Sequence, residues 1–295
     1  MYTQKLKKYV CLLILLPFFI SFSCAGRKPY TKPYEEAEVG GGFNLFSMEE
    51  DIQLGEGFSE EIEKENPLLK DQFITRYVDE MGQNIARHSK RPDISYHFKV
   101  VDTKTVNAFA LPGGYIYINR GLLDLVHDQS ELAGVMAHEI GHVVARHGTK
   151  QLSKQLVLAG ILIGASEAIG RKSEKWGAIT QVAGSLGFFL GMMKYSRDDE
   201  READWLAINE IYRAGYNPQG MVTLFDKFKK LHKRNPSRFE QFFLSHPNTD
   251  ERIESTRQEL SKFDHKGRVF QGSPKFDDMK KKLSKLPPPP DAKKG

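Results

Sequence analysis

DQSELAGVMAHEIGHVVARHG, residues 128–148, is the stretch that decides the architecture. Leu132, Met136, Ile140 and Val143 recur at helical spacing, so the run predicts a helix with an apolar stripe. Asp128 and Glu131 have the spacing of a capping box at its start. Gly148, just after His147, is the expected C-cap. Inside the helix, His138 and His142 are four residues apart, a little over one turn, so both imidazoles leave from one face. Two neutral imidazoles placed in this way suit a zinc ion. Glu139 is rotated by about 100° from His138. It is badly placed as a ligand in the same plane but well placed to reach water beside the metal. As a general base it could take that water's proton and pass it to a leaving amine.

Upstream, the pattern changes. Tyr96, Phe98 and Val100 alternate with their neighbours, which predicts a strand. Residues 107–111 form a second extended stretch. Pro112-Gly113-Gly114 makes a turn into a third, residues 115–118. A small sheet therefore precedes the motif helix. Residues 48–88 read as two helices divided near Asn66-Pro67. Downstream, helices are expected over 196–213, 218–233 and 248–263. Residues 155–170 and 178–193 are apolar and read as a buried helical hairpin, with a mobile flap as the alternative. The fold class is α+β, mostly helical, with a short sheet beside the histidine helix.

A catalytic zinc needs a third protein ligand. The run Ser196-Arg197-Asp198-Asp199-Glu200-Arg201-Glu202-Ala203-Asp204 offers Glu200 and, one turn later on the same helical face, Asp204. One carboxylate could bind the metal while the other accepts a hydrogen bond from a ligating histidine and fixes its tautomer. Spacing alone leaves a solvated acidic face as the alternative.

Taken together, Ala137 to Val143, then Tyr195-Ser196-Arg197 with Glu200, Ala203 and Asp204, then His246-Pro247 with Arg252-Ile253, resemble the gluzincin metallopeptidases. Within them the likeness is to peptidase family M48, the branch holding the prenyl-protein protease, the HtpX heat-shock protease and the BepA type. It runs from about residue 48 to residue 263. The resemblance implies a zincin-like domain with one Zn2+ per chain held by His138, His142 and Glu200. Asp204 and Arg252 stand behind the ligands. Glu139 is the catalytic base. His246 either occupies the open metal position or stabilises the oxyanion. Asn107, Ala108 and Phe109 match a strand that pairs with extended substrate by main-chain hydrogen bonds. No helical repeat follows the domain, so the chain resembles compact, exported members. His147 has no motif support and reads as structural.

The ends of the chain differ from its body. The net charge is +5, yet residues 1–32 carry +6 and residues 265–295 another +6, which leaves −7 between them. A nucleic-acid binder would concentrate positive charge on the folded body, so that class is set aside. Lys5, Lys7 and Lys8 precede an apolar run over 10–20, as in an export signal. Of two cysteines, Cys11 lies in that run, and Cys24 is left without a partner. Ser23-Cys24 after an apolar run resembles a lipoprotein cleavage site. Ordinary cleavage after Ala25 is the competing reading. The expected organisation is a signal at 1–24, a flexible tether at 25–47, the protease at 48–264 and a disordered basic, proline-rich tail at 265–295. The expected function is a zinc endopeptidase of the bacterial envelope, cleaving misfolded or misassembled proteins. It would sit in the periplasm, held to the outer membrane through lipidated Cys24. The rival is a metal-holding chaperone or assembly factor in which cleavage is secondary.

Overall fold

Ser47 starts the first long helix: its hydroxyl accepts from the Glu50 amide, and the Glu50 carboxylate accepts from the Ser47 amide. That exchange satisfies two donors that a helix start leaves orphaned. The helix, α1, runs Met48–Glu65 and stops before Asn66-Pro67, where the residue preceding proline takes an extended backbone. Asp71 caps α2, Gln72–Ala86. The computed structural model describes residues 32–158, 189–191, 193–234, 236–247, 250–263 and 272–290. The expected signal with Cys24 and most of the apolar hairpin (159–188 and 192) lie outside the described residues.

The sheet follows as β1 (His97–Val101), β2 (Ala108–Ala110) and β3 (Tyr115–Asn119). Its order is β1-β3-β2, with β1 parallel and β2 antiparallel to the central strand. Gly113 makes the turn between β2 and β3 at φ 72, and a Cβ there would come within 2.6 Å of the Ile52 Cα. Leu111 donates to the Tyr115 carbonyl at 2.8 Å and Asn119 to the Asn107 carbonyl at 2.9 Å. By antiparallel alternation, Asn107, Phe109 and Leu111 then turn their main chains toward β3, and Ala108 and Ala110 turn theirs outward. Among the described residues no strand covers that outer edge.

After α3 (Arg120–Leu125) comes the central helix α4, Gln129–Val144. Every residue from Glu131 to Val144 is buried, the mark of a helix packed on all sides. Around it lie α5 (His147–Leu158), α6 (Arg197–Arg213), α7 (Gln219–Arg234), α8 (Pro236–Ser245) and α9 (Asp250–Leu260). α4 packs directly on α2, α6, α7 and β2, and α9 packs on α6. Among the described residues no helix is long and apolar enough to cross a membrane.

Several expectations need correction. The capping box of α4 is displaced by one residue. Asp128 accepts from the Ser130 and Glu131 amides, but the Glu131 carboxylate accepts from His127. Gly148 is not the C-cap of α4. The helix ends at Ala145, and Arg146 takes the left-handed φ of 58 before α5 begins. Contacts made by the Arg146 guanidinium hold that bend: it donates to Asp51 at 2.6 and 2.9 Å and to the Phe46 and Ser47 carbonyls. A further helix, α8, forms where a loop was expected.

Both presumed flexible ends are also folded where they are described. Residues 32–47 are not a tether but a strap laid across the domain. Tyr34, Ala37 and Phe46 are buried, and the Leu45 amide donates to Ser153 at 2.9 Å. At the other end, Ser273 caps α10, Pro274–Leu283. Phe276, Met279 and Leu283 recur on one face and bury themselves against α2 and its neighbours, while Lys275, Lys281 and Lys282 face outward. The polar composition of these segments hid apolar residues at the right spacing.

The strap is anchored by Tyr34, which packs on Trp205 and reaches Glu210 Oε1 at 3.3 Å. Burial pushes the Glu210 carboxyl well above the ordinary glutamate range, against weaker opposing hydrogen bonds from Tyr34 and the Lys90 backbone. The folded state thus holds a proton that the unfolded chain releases above about pH 4.3. This contribution to stability is fully present below that pH and declines as pH rises toward the folded pKa. Urea unfolding should show this contribution falling as pH rises above about 4.3, with Glu210→Gln flattening the slope.

Candidate metal centre

α4 delivers His138 and His142 to one face, with their Nε2 atoms 3.0 Å apart. α6 approaches them because Ser196 and Asp199 form a reciprocal cap that starts the helix just before Glu200. Glu200 and Asp204 then lie one turn apart and face α4. His246 follows the last turn of α8, its amide bonded to the Phe242 carbonyl at 2.8 Å. Arg252 comes from the first turn of α9. Four elements distant in sequence therefore converge on one buried point.

The donors are tightly grouped. His138 Nε2 is 3.2 Å from His246 Nδ1 and 3.6 Å from Glu200 Oε2. Glu200 Oε1 is 3.4 Å from His142 Nε2 and 3.0 Å from His246 Nδ1. One atom from each of the four residues falls within 4.8 Å of every other. The residues fit a zinc ion on two grounds. A tetrahedron with Zn–N bonds of about 2.05 Å has edges of about 3.3 Å, close to the separations seen here. The donors, three imidazoles and a carboxylate, are also the types that zinc takes.

Behind the donors stands a network of charge. His138 Nδ1 lies 2.9 Å from Asp204 Oδ1, which sets Nε2 free to face the cluster. Arg252 grips Asp204 with two hydrogen bonds of 2.7 Å, pairs with Glu200, and donates to the Pro247 carbonyl at 3.0 Å. One guanidinium thus ties α6 to the loop that carries His246. Burial would raise the Glu200 carboxyl, but Arg252 and His246 outweigh it and hold it well below the usual range. Asp204 is held down in the same way by Arg252 and His138. For His142, burial dominates and drives the imidazole well below its ordinary pKa, into the neutral form that can donate a lone pair.

Glu139 is different. It is fully buried, yet neither carboxylate oxygen has a hydrogen-bond partner, and its nearest charged neighbour is His246 Nε2 at 3.5 Å. Buried polar groups without partners are rare and call for an explanation. Burial raises its pKa, His246 and His138 oppose the rise, and the Glu200 carboxylate adds to it. The carboxylate thus lies beside the donor cluster, against His246.

All of His138, His142, Glu200, His246, Asp204 and Arg252 come together. Of the expected substrate-pairing residues Asn107, Ala108 and Phe109, only Ala108 turns its main chain away from β3. Asn107 and Phe109 spend their main chains on β3, and the Phe109 ring stacks on Tyr117 at 5.2 Å. Ala108 and Ala110 turn their main chains away from β3, and both residues are buried. Sequence reasoning also missed two residues. Tyr195 stacks on His142 with ring centroids 3.9 Å apart. His147, set aside as structural, has its Nδ1 2.9 Å from His142 Nδ1. The bend at Arg146, which no spacing rule anticipates, turns His147 back toward the site.

Comparison with known proteins agrees with this geometry. Residues 74–260 match the model of peptidase family M48. The chain is 29% identical over 217 residues to the beta-barrel assembly-enhancing protease of Escherichia coli (strain K12), covering 72% of this chain and 44% of that one. It is 31% identical over 189 residues to the metalloprotease LoiP of the same organism, covering 64% of this chain and 69% of the relative. The mitochondrial metalloendopeptidase OMA1 of Arabidopsis thaliana is 29% identical over 199 residues, 66% of this chain and 39% of that one. The chain thus spans less than half the length of the assembly-enhancing protease it matches.

Removing Arg252 would leave two carboxylates buried without their counter-charge. Arg252→Ala should destabilise the metal-free protein by about 3–5 kcal/mol. Arg252→Lys should recover little of this, because an ammonium cannot reproduce the two-pronged grip on Asp204. Urea denaturation in a chelator would measure both.

Proposed function

The chain belongs to peptidase family M48, and from that premise we propose that it is a zinc-dependent endopeptidase. The observation that carries the reading is the four-donor cluster with the unpartnered Glu139 carboxylate beside it. His138, His142 and Glu200 would hold the ion. When bound, zinc supplies Lewis acidity to the scissile carbonyl and acidifies water.

The chain's own residues do the rest. Once the cover that buries Ala108 and Ala110 withdraws, their outward amides and carbonyls would pair with an extended peptide, through hydrogen bonds that carry little sequence preference. That edge runs past Glu139, near the Ala110 amide. Glu139 takes a proton from the attacking water as the new C–O bond forms. It returns that proton to the nitrogen as the C–N bond breaks.

We place the enzyme in the bacterial envelope, acting on misfolded or misassembled proteins there. The apolar run over 10–20 and the Ser23-Cys24 pair support export and lipid attachment at Cys24, on the periplasmic face of the outer membrane. The relatives named as a beta-barrel assembly-enhancing protease support the substrate class. His246, whose Nδ1 takes a place among the donors, reads as a cap that must withdraw before a substrate carbonyl can enter.

Glu139→Gln should lower peptide hydrolysis by about 10²–10⁴-fold, with zinc content by metal analysis unchanged. Wild-type protein without zinc, or undiminished cleavage by the variant, would sink the reading. Should Glu139→Gln still rescue a deletion strain fully, a chaperone role would be favoured over cleavage. His246→Ala should raise basal proteolysis of an unfolded substrate if the histidine is a cap. A fall would assign it to the oxyanion instead.

A further inference from the structure

Each metal-facing histidine has a second ring nitrogen, and a ligating histidine almost always donates that N–H to an acceptor. For His138 the acceptor is Asp204. For His142 no carboxylate does this. Its Nδ1 instead meets His147 Nδ1 at 2.9 Å.

That contact fixes protons along a chain of groups. His142 turns Nε2 into the donor cluster, 3.0 Å from His138 Nε2 and 3.4 Å from Glu200 Oε1. A neutral imidazole with a bare Nε2 carries its proton on Nδ1. His147 Nδ1 must then accept, so its own proton sits on Nε2. That nitrogen lies 3.3 Å from Glu202 Oε2 and 3.5 Å from Asp199 Oδ1, two acceptors. The other Glu202 oxygen accepts the Gly40 amide at 2.9 Å. Every donor in the series meets an acceptor, and His147, Glu202 and His142 are all buried.

Gly40 belongs to the strap. Its φ of +70, and a hypothetical Cβ only 3.2 Å from the Ala145 main chain, show the backbone pressed onto the end of α4. Asn44, Leu45 and Phe46 continue the strap over α5 and Arg146 through Thr149, Ser153 and the Arg146 guanidinium.

We propose that His147 is a positioning residue that, through Glu202 and the docked strap at Gly40, holds His142 in its metal-binding orientation. The N-terminal strap thereby sets the affinity of the metal site. The proposal rests on the zinc reading above and adds a dependence that none of the ligands reveals. Asp204 and Arg252 lock one histidine from the side of α9. Glu202 and the strap lock the other from the opposite end of the chain.

The test is zinc affinity of the full chain, measured by competition with a chelator of known zinc affinity, alongside thermal melting of the metal-free protein. His147→Phe keeps the ring volume but removes the acceptor, and should weaken zinc binding by about 10–100-fold with little change in metal-free melting. His147→Asn retains an oxygen near the position of Nδ1 and should restore most of the loss. Gly40→Pro removes the amide donor and cannot adopt the positive φ, so it should weaken zinc binding by about threefold or more. If wild type binds no zinc, the metal reading fails and this inference with it. If wild type binds but His147→Phe binds equally well, the relay is overturned while the metal reading stands. An effect of His147→Phe with none from Gly40→Pro would overturn the part played by the strap.

Discussion

The close crossing of α4 and α6 at Gly141 is the constraint on which the rest depends. A Cβ at that position would lie 3.0 Å from the Ala203 carbonyl oxygen and 3.4 Å from the Leu206 Cβ. With hydrogen there instead, the two helices approach closely enough for His138 and His142 to meet Glu200 and Asp204. Residue 141, one before the second histidine, binds nothing itself. Its smallness is what makes the ligands on two separate helices a single site. A larger side chain would push α6 away, and carboxylates a few ångströms further off would no longer close the cluster.

Such an approach gathers charges that would repel or stay hydrated elsewhere. Glu139, Glu200 and Asp204 are all buried within one region. Removing three carboxylates from water costs far more than their packing returns, unless counter-charges are in place. Arg252 supplies one for two of them. Glu139 is left without a hydrogen bond. Its isolation is chemically useful: a base fully paired with a guanidinium would be too weak to take a proton near neutral pH. The same burial that depresses His142 raises Glu139. One environment thus favours a neutral imidazole and a raised carboxyl on adjacent faces of one helix.

The ligands were legible because their spacing obeys the helix itself. Four residues separate His138 from His142 and Glu200 from Asp204, and no tertiary information is needed to place each pair on a face. The sheet was legible because period-two alternation and Pro112-Gly113-Gly114 are local signals. What depends on register was less so. Whether Ala108 or Phe109 turns its main chain outward follows from which partners on β3 bond, and composition does not say. His147 escaped because its place depends on Arg146 leaving the helical region, an event imposed by Asp51 and the strap rather than by its neighbours in sequence. The strap and α10 were misread for a similar reason. Gly, Pro and Lys dominate their composition, and only a few spaced apolar residues, Tyr34, Phe46, Phe276 and Met279, carry their docking.

These two segments change what counts as the catalytic unit. The family match ends at residue 260 and begins at residue 74, yet described residues on both sides complete the core. α10 closes α2 and reaches α3 through Lys280, which donates to the Leu123 carbonyl at 2.6 Å. The strap crosses α5 and α6 and bonds a carboxylate, Glu202, that sits one residue group away from a metal-facing histidine. A segment whose composition reads as a leash is therefore built into the wall of the domain. Its hydrogen bonds use both main-chain amides, at Gly40 and Leu45, and side chains, at Tyr34 and Asn44, so both its backbone position and those residues hold it in place. A chain of contacts, from the Gly40 amide through Glu202 and His147, joins the seat of that segment to His142.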